Sequence, residues 1–223
     1  MKLALMMGTL CIASIGVVGC ASKVVEPDQY SGFLKDYSQL KEAKSPSGAT
    51  VMRWVDPKLD MNKFTSVYIE PTQLYPKPQP TVKIPQATLN GITGYYDQAL
   101  KREVGKSLPL AAGPGPGVMV VRAAITAVSS KTEGLKPYEV IPIALVAAAV
   151  STASGIRDQQ TDLATEAVFL DGGNNHVLAQ VVRKGTGKPL ENDSQVMKAD
   201  DVKGVIDGWA SDLHQSYLKL KSK

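Results

Sequence analysis

The residues that most often carry metal and covalent chemistry are almost missing from this sequence, which has two cysteines and two histidines in 223 residues. Cys11 and Cys20 both fall in the first twenty positions, so no disulfide staples the body of the chain. His176 and His214 have no second histidine or cysteine at ligand spacing, so they read as surface or half-buried side chains. No metal or cofactor is expected. There is no Gly-x-Ser-x-Gly nucleophile turn. Gly113, Gly115 and Gly117 are separated by prolines, which lack the N–H groups a phosphate cradle needs, so this stretch is a loop. No block of one charge exists either: 25 basic and 21 acidic residues are dispersed along the chain, which argues against a nucleic-acid partner. What is present is apolar. Hydrophobic residues make up 43% against 21% charged, enough to bury one core and to exclude a disordered polar chain.

The acids offer no obvious pair. Asp97 and Glu103 lie six apart on a predicted helix, which is not one face. Asp171, Asn174 and Asn175 could offer oxygens to calcium, but the EF-hand spacing and its terminal Glu are missing, so they read as a hairpin turn. Arg157, Asp158 and Asp162 border an apolar stretch and read as solvated. No catalytic residue is assigned.

The first residues look like an address. Lys2 supplies a positive start, and residues 3–18 carry no charge but are too few for the roughly 20 a spanning helix needs. The run ends Val17-Val18-Gly19-Cys20, which resembles the lipobox of bacterial lipoproteins. That resemblance implies cleavage between Gly19 and Cys20, removal of residues 1–19 as a signal peptide, and acylation of Cys20, whose chains at ~0.8 kcal/mol per buried methylene would hold the protein on a bilayer. An uncleaved anchor helix and an ordinary secretory cut are the alternatives. Ala21, rather than Asp, follows the cysteine; by resemblance to enterobacterial sorting this favours the outer membrane, on its periplasmic face, with inner-membrane retention as the alternative.

Residues 20–29 are then a lipidated cysteine and tether, and 30–223 a periplasmic domain. Tyr30, Phe33, Leu34, Tyr37 and Leu40 recur at three and four, which predicts a short helix. Strands are expected at 51–55, 64–69, 118–128, 163–170 and 177–183, the last two joined by an Asp171–Asn175 turn. Pro85 opens a helix tracked by Leu89, Ile92, Tyr96, Ala99 and Val104. Asp200 is placed to cap a last helix whose buried stripe is Val202, Val205, Ile206, Trp209, Leu213, Tyr217 and Leu220, with Lys219, Lys221 and Lys223 at its negative end. This order predicts an α+β sandwich: one domain, a mixed sheet of about four to five strands, helices on one face.

One stretch resists a simple reading. Residues 139–156 form an apolar insert, too short to span a bilayer and without the alternation of a membrane hairpin. It reads as a buried core helix. Ala144 and Ala148, then Ala149 and Ala153, recur at i, i+4, however, and such small-residue faces also suit a self-association or partner interface. Contact with a membrane surface is a third reading.

Three stretches together resemble one bacterial lipoprotein family: Tyr30-Ser31-Gly32-Phe33-Leu34 with Asp36-Tyr37; Tyr138-Glu139-Val140-Ile141-Pro142-Ile143; and Ala164-Thr165-Glu166-Ala167-Val168-Phe169-Leu170-Asp171 followed by Val177-Leu178-Ala179. They look like the proteobacterial family catalogued as domain of unknown function 3313, and the resemblance covers nearly all of the mature chain. It implies no catalytic residue. The hairpin pattern also looks like small periplasmic α/β lipoproteins, among them activators of penicillin-binding proteins and subunits of secretion pores, an architectural likeness only. The expectation is a non-enzymatic binding or envelope-assembly module, with an envelope protein or a second copy of itself as partner. The alternatives are a homo-oligomeric assembly or secretion subunit and an envelope enzyme acting on peptidoglycan or lipid.

Overall fold

The computed structural model describes residues 24–132, 159–192 and 194–222. Seven strands and two long helices account for most of them. The strands are β1 (Lys41–Lys44), β2 (Thr50–Val55), β3 (Ser66–Ile69), β4 (Gln73–Leu74), β5 (Val118–Thr132), β6 (Gln159–Asp171) and β7 (Val177–Thr186); the helices are α1 (Gln86–Val104) and α2 (Lys203–Lys221). One sheet runs β1-β2-β7-β6-β5-β3, with β4 also on β5. β3 and β4 lie parallel to β5, and every other pair is antiparallel. The α+β class and the mixed sheet are as expected, but the strand count exceeds the expected four to five. The extra strands are β4, only two residues long, and β1, whose Lys-Glu-Ala-Lys sequence has no hydrophobic alternation. A charged, exposed strand is how a sheet protects its edge, and that camouflage hides it from pattern reading.

Both helices cover one face. Leu89, Ile92, Tyr96, Ala99 and Val104 of α1 and Ile206, Trp209, Ala210 and Tyr217 of α2 join Met119, Val121, Ala123 and Ile125 of β5 in the main core. The opposite face carries a second cluster, where Val120, Val168, Leu170 and Val182 meet Val25, Leu34 and Leu40 of the N-terminal segment. β5 serves both clusters through one irregularity. Ile125 pairs with Thr165 and Ala127 with Ala164, which leaves Thr126 as an extra residue. A one-residue bulge reverses which side chains face which way. Odd positions up to Ile125 therefore face the helices, while after the bulge Val128 does so and Ala127 joins the other cluster.

Two expectations are corrected here. The N-terminal segment is not a helix: a 3-10 turn at Pro27–Gln29 is followed by left-handed backbone at Gly32 (φ 89) and Lys35 (φ 66), which no α-helix accommodates. The three-and-four spacing instead serves a folded strap, in which Tyr30 and Tyr37 stack with ring centroids 4.4 Å apart. Val25, within the stretch expected as a tether, is buried against the second cluster, while residues 26–28 are exposed. Asp200 does not cap the last helix. It lies in a 3-10 turn, Ala199–Val202, and pairs with Lys203, while the neighbouring Asp201 accepts from the Lys198 N–H at 2.7 Å.

α2 sits close on β7 because Gly185 has no side chain. A Cβ there would lie 2.6 Å from Val205 Cγ1 and 3.4 Å from the Trp209 ring. That approach positions the cleft described next.

Candidate functional site

The helix-facing side of β2 and β7 is not fully covered. A cavity of about 110 Å³ opens between this part of the sheet and the C-terminal half of α2. Its floor is Val51, Arg53 and Val55 of β2, Val181 and Arg183 of β7, and Phe169 and Ala167 of β6. Trp209, Leu213, Tyr217 and Leu220 of α2 form one wall; Leu59, Met61 and Leu100 form the other. The apolar walls follow from the fold. β7 is flanked on both sides, and its helix-facing Leu178 and Val181 are apolar, with Arg183 the charged residue among them.

The polar groups collect at one end. Arg183 donates from Nη2 to Asp212 Oδ2 at 2.7 Å, with side chains 9% and 5% exposed. The guanidinium also lies 5.4 Å from the Trp209 ring centre, in cation–π range. Asp212 further accepts from the Ser47 N–H at 2.8 Å and the Ser47 hydroxyl at 2.9 Å. Burial pushes its carboxyl pKa up, but the Arg183, Ser45 and Ser47 hydrogen bonds together outweigh burial and hold it below the ordinary aspartate range. One group in this network is left over: Arg183 Nε is buried with no protein partner. An unsatisfied buried donor costs about 1–3 kcal/mol. Arg53, half-buried on the cleft floor, has no ion-pair or hydrogen-bond partner among the described residues.

A second buried carboxylate lies on the opposite face. Glu166 of β6 is 1% exposed; Oε1 accepts from the Ser31 N–H at 2.8 Å and Oε2 from the Tyr37 hydroxyl at 2.6 Å. The Tyr37 oxygen in turn accepts from the Gly32 N–H at 2.7 Å. Burial first, then the Glu166 carboxylate, pushes the Tyr37 phenol up to about 12. The arrangement pins the strap to the sheet and consumes the carboxylate in doing so.

The residues singled out from sequence are dispersed. His176 Nε2 is 2.7 Å from Asp56 Oδ2 on an exposed edge, and His214 Nε2 is 2.8 Å from Ser107 Oγ. Asp171 accepts from the Gly173 N–H and Asn174 from the His176 N–H, as turn residues do. Asp97 receives the Thr72 N–H, and Glu103 pairs with Arg102 and Lys106. Asp162 accepts from Gln160 and Thr186. Gly19, Cys20, Arg157, Asp158, and Ala144, Ala148, Ala149 and Ala153 of the apolar insert lie outside the described residues. Among the described residues no cluster of His, Cys, Asp and Glu could hold a metal, and no helix is long and apolar enough to cross a membrane. The pattern reading missed Arg53, Glu166, Arg183 and Asp212. Two signals were available: a lone Glu inside the apolar Leu163–Leu170 run, and an Asp three residues after the buried Trp209 on the helix stripe.

Comparison with known proteins places the chain. Residues 29–213 match the family described as Protein of unknown function (DUF3313). The chain is 41% identical over 211 residues to the "Uncharacterized lipoprotein YdcL" of Escherichia coli strain K12, covering 95% of this chain and 93% of that one. Among solved structures, the hypothetical protein CT253 from Chlamydia trachomatis superposes with a TM-score of 0.42 at 11% identity, over 72% of this chain and 99% of that one. A PelC dodecamer from Paraburkholderia phytofirmans gives 0.40 at 11% identity, over 74% and 96%. The chain therefore belongs to the DUF3313 family of unknown function, with a lipoprotein as its relative.

Proposed function

We propose that this protein is a lipid-anchored envelope lipoprotein, held by acylated Cys20 on the periplasmic face of the outer membrane, that binds an apolar group in its cleft rather than transforming a substrate. The observation that carries the binding reading is the 110 Å³ apolar cavity between sheet and α2, unfilled by the protein's own side chains. It approaches the roughly 150 Å³ of an engineered cavity that takes up benzene. The buried acids support the non-enzymatic half of the reading. Asp212 is tied to Arg183 and Ser47, and Glu166 to Tyr37 and Ser31. Anchoring rests on the lipobox-like Val17-Val18-Gly19-Cys20 and on the lipoprotein relative.

Two measurements test it. Labelled palmitate should enter the native protein and not Cys20→Ala, and only the native protein should fractionate with outer membranes; a Cys20→Ala protein that still matures and stays with them overturns the anchor. Toluene should shift the methyl resonances of Leu59, Leu213 and Leu220, and Leu213→Trp should remove the response by filling the space. No response in the native protein overturns the binding site.

A further inference from the structure

The cleft carries a charge pattern that an uncharged occupant would not use. Arg53 and Arg183 project onto the same face of the sheet. Arg53 is directly opposite Val181 in the β2–β7 ladder, and Arg183 is two residues further along β7. That is a diagonal pair, separated by roughly 7–8 Å in a regular sheet. Two guanidiniums therefore share the cleft floor with one carboxylate, Asp212, which is committed to Arg183. Arg53 is left as an uncompensated cation beside an apolar wall, and Arg183 Nε as a buried donor with no protein acceptor. An occupant that satisfies both must bring an oxygen acceptor, one negative charge and an apolar body. The cavity limits the enclosed part of that body to a short chain segment, and the rest must leave through the mouth.

We infer that the cleft binds the anionic end of a single-chain amphiphile, a carboxylate carried on an alkyl chain. One carboxylate oxygen accepts the Arg183 Nε–H, Arg53 balances the charge, and the first carbons of the chain lie along Leu59, Met61 and Leu220. This rests on the binding reading above and deepens it. A cationic head is disfavoured because its only buried counter-charge is already paired. A neutral head fills the apolar space but leaves Arg53 uncompensated. Guanidinium suits a carboxylate better than a point-charge cation would, because its donors lie in a fixed plane.

The test uses the chain from residue 20 with Cys20→Ser, so that no detergent competes for the cleft. Octanoate, octanol and octyltrimethylammonium are titrated by calorimetry, with Trp209 fluorescence as a second readout. Octanoate should bind about tenfold or more tighter than octanol, as a charge-assisted hydrogen bond implies, and the ammonium more weakly than either. Arg53→Gln should erase the preference for octanoate while leaving octanol unchanged. Arg183→Lys keeps the charge opposite Asp212 but removes the Nε–H, and should weaken octanoate alone. Octyl sulfate separates a general anionic head from a carboxylate: binding equal to octanoate generalises the head and still needs Arg53. The inference is overturned if octanol binds as tightly as octanoate, or if Arg53→Gln leaves their ratio intact. If toluene is taken up and no amphiphile is, the occupant is an uncharged apolar group such as a partner's side chain; the inference fails and the binding reading stands. If neither is taken up, both fail.

Discussion

Arg183 on β7 and Asp212 on α2 meet at 2.7 Å with both side chains more than nine-tenths buried, and Ser47 of the β1–β2 turn donates twice to the same aspartate. Three pieces of chain far apart in sequence are held at one point: the edge hairpin, a central strand and the last helix. A buried pair of this kind contributes little net stability compared with apolar packing, but losing one partner strands a charge in the interior.

Asp212→Ala should therefore cost about 3–5 kcal/mol, because Arg183 remains buried and charged. Urea unfolding at neutral pH measures it. The pH dependence has a definite sign. The folded carboxyl titrates below its ordinary range, so the unfolded chain binds more protons in the acid range. Native stability is present above about pH 4 and is lost as pH falls through the folded value. Asp212→Asn should flatten that acid limb.

Glu166→Ala should cost about 1–3 kcal/mol, since it leaves the Ser31 N–H and the Tyr37 hydroxyl without their acceptor. The Tyr37 phenol, at about 12, loses protons later than in the unfolded chain. Its contribution is thus complete below about pH 10 and disappears as pH rises through 12. Ultraviolet titration of native and Glu166→Gln proteins should show two of the eight tyrosines, Tyr30 by charge alone and Tyr37 by charge and hydrogen bond, moving to lower pH in the variant, Tyr37 the further. Both should stop short of the ordinary value, because burial, the larger cause in each, remains.

Gly185→Ala should destabilise by about 1–3 kcal/mol through overpacking against Val205 and Trp209. Val205 is β-branched and cannot easily rotate away, so Gly185→Ala combined with Val205→Ala should recover most of the loss in thermal unfolding. Gly187→Ala offers no such rescue, since its Cβ would strike the backbone oxygen of Asp201 as well as the Thr161 and Val202 side chains, and trimming a side chain leaves the backbone clash in place.

Leu34→Ala should cost about 2–5 kcal/mol if the strap is an integral layer, as its burial in the second cluster indicates. Hydrogen exchange at Ser31 and Gly32, whose N–H groups bond Glu166 and Tyr37, should quicken in the same variant. Unchanged exchange there would mean that the strap opens independently of its packing.

The long elements were legible from residues alone. α1 begins after Pro85 and ends at Val104, and α2 buries Ile206, Trp209 and Tyr217, because an apolar stripe at a period of 3.6 has one way to hide. The β6–β7 hairpin was legible because Gly172, Gly173, Asn174 and Asn175 bring turn chemistry to a fixed place, and Asn175 does adopt a left-handed φ of 61. β1 was not, since its residues match solvent on every side. Nor was the strap, because a three-and-four spacing of aromatics is equally met by turns that lay rings on a sheet.

The sequence by itself determined the class, one α+β domain, and the apolar faces that drive its two clusters, since periodicity and turn chemistry are local properties written within a dozen residues. The cleft was decided only by tertiary structure. Arg53, Arg183 and Asp212 lie on different elements, and what joins them is the order in which strands pair: β2 against β7, with α2 lining the same cleft. Strand order is set by long-range burial and by the space that Gly185 leaves for α2, and neither leaves a local pattern to read.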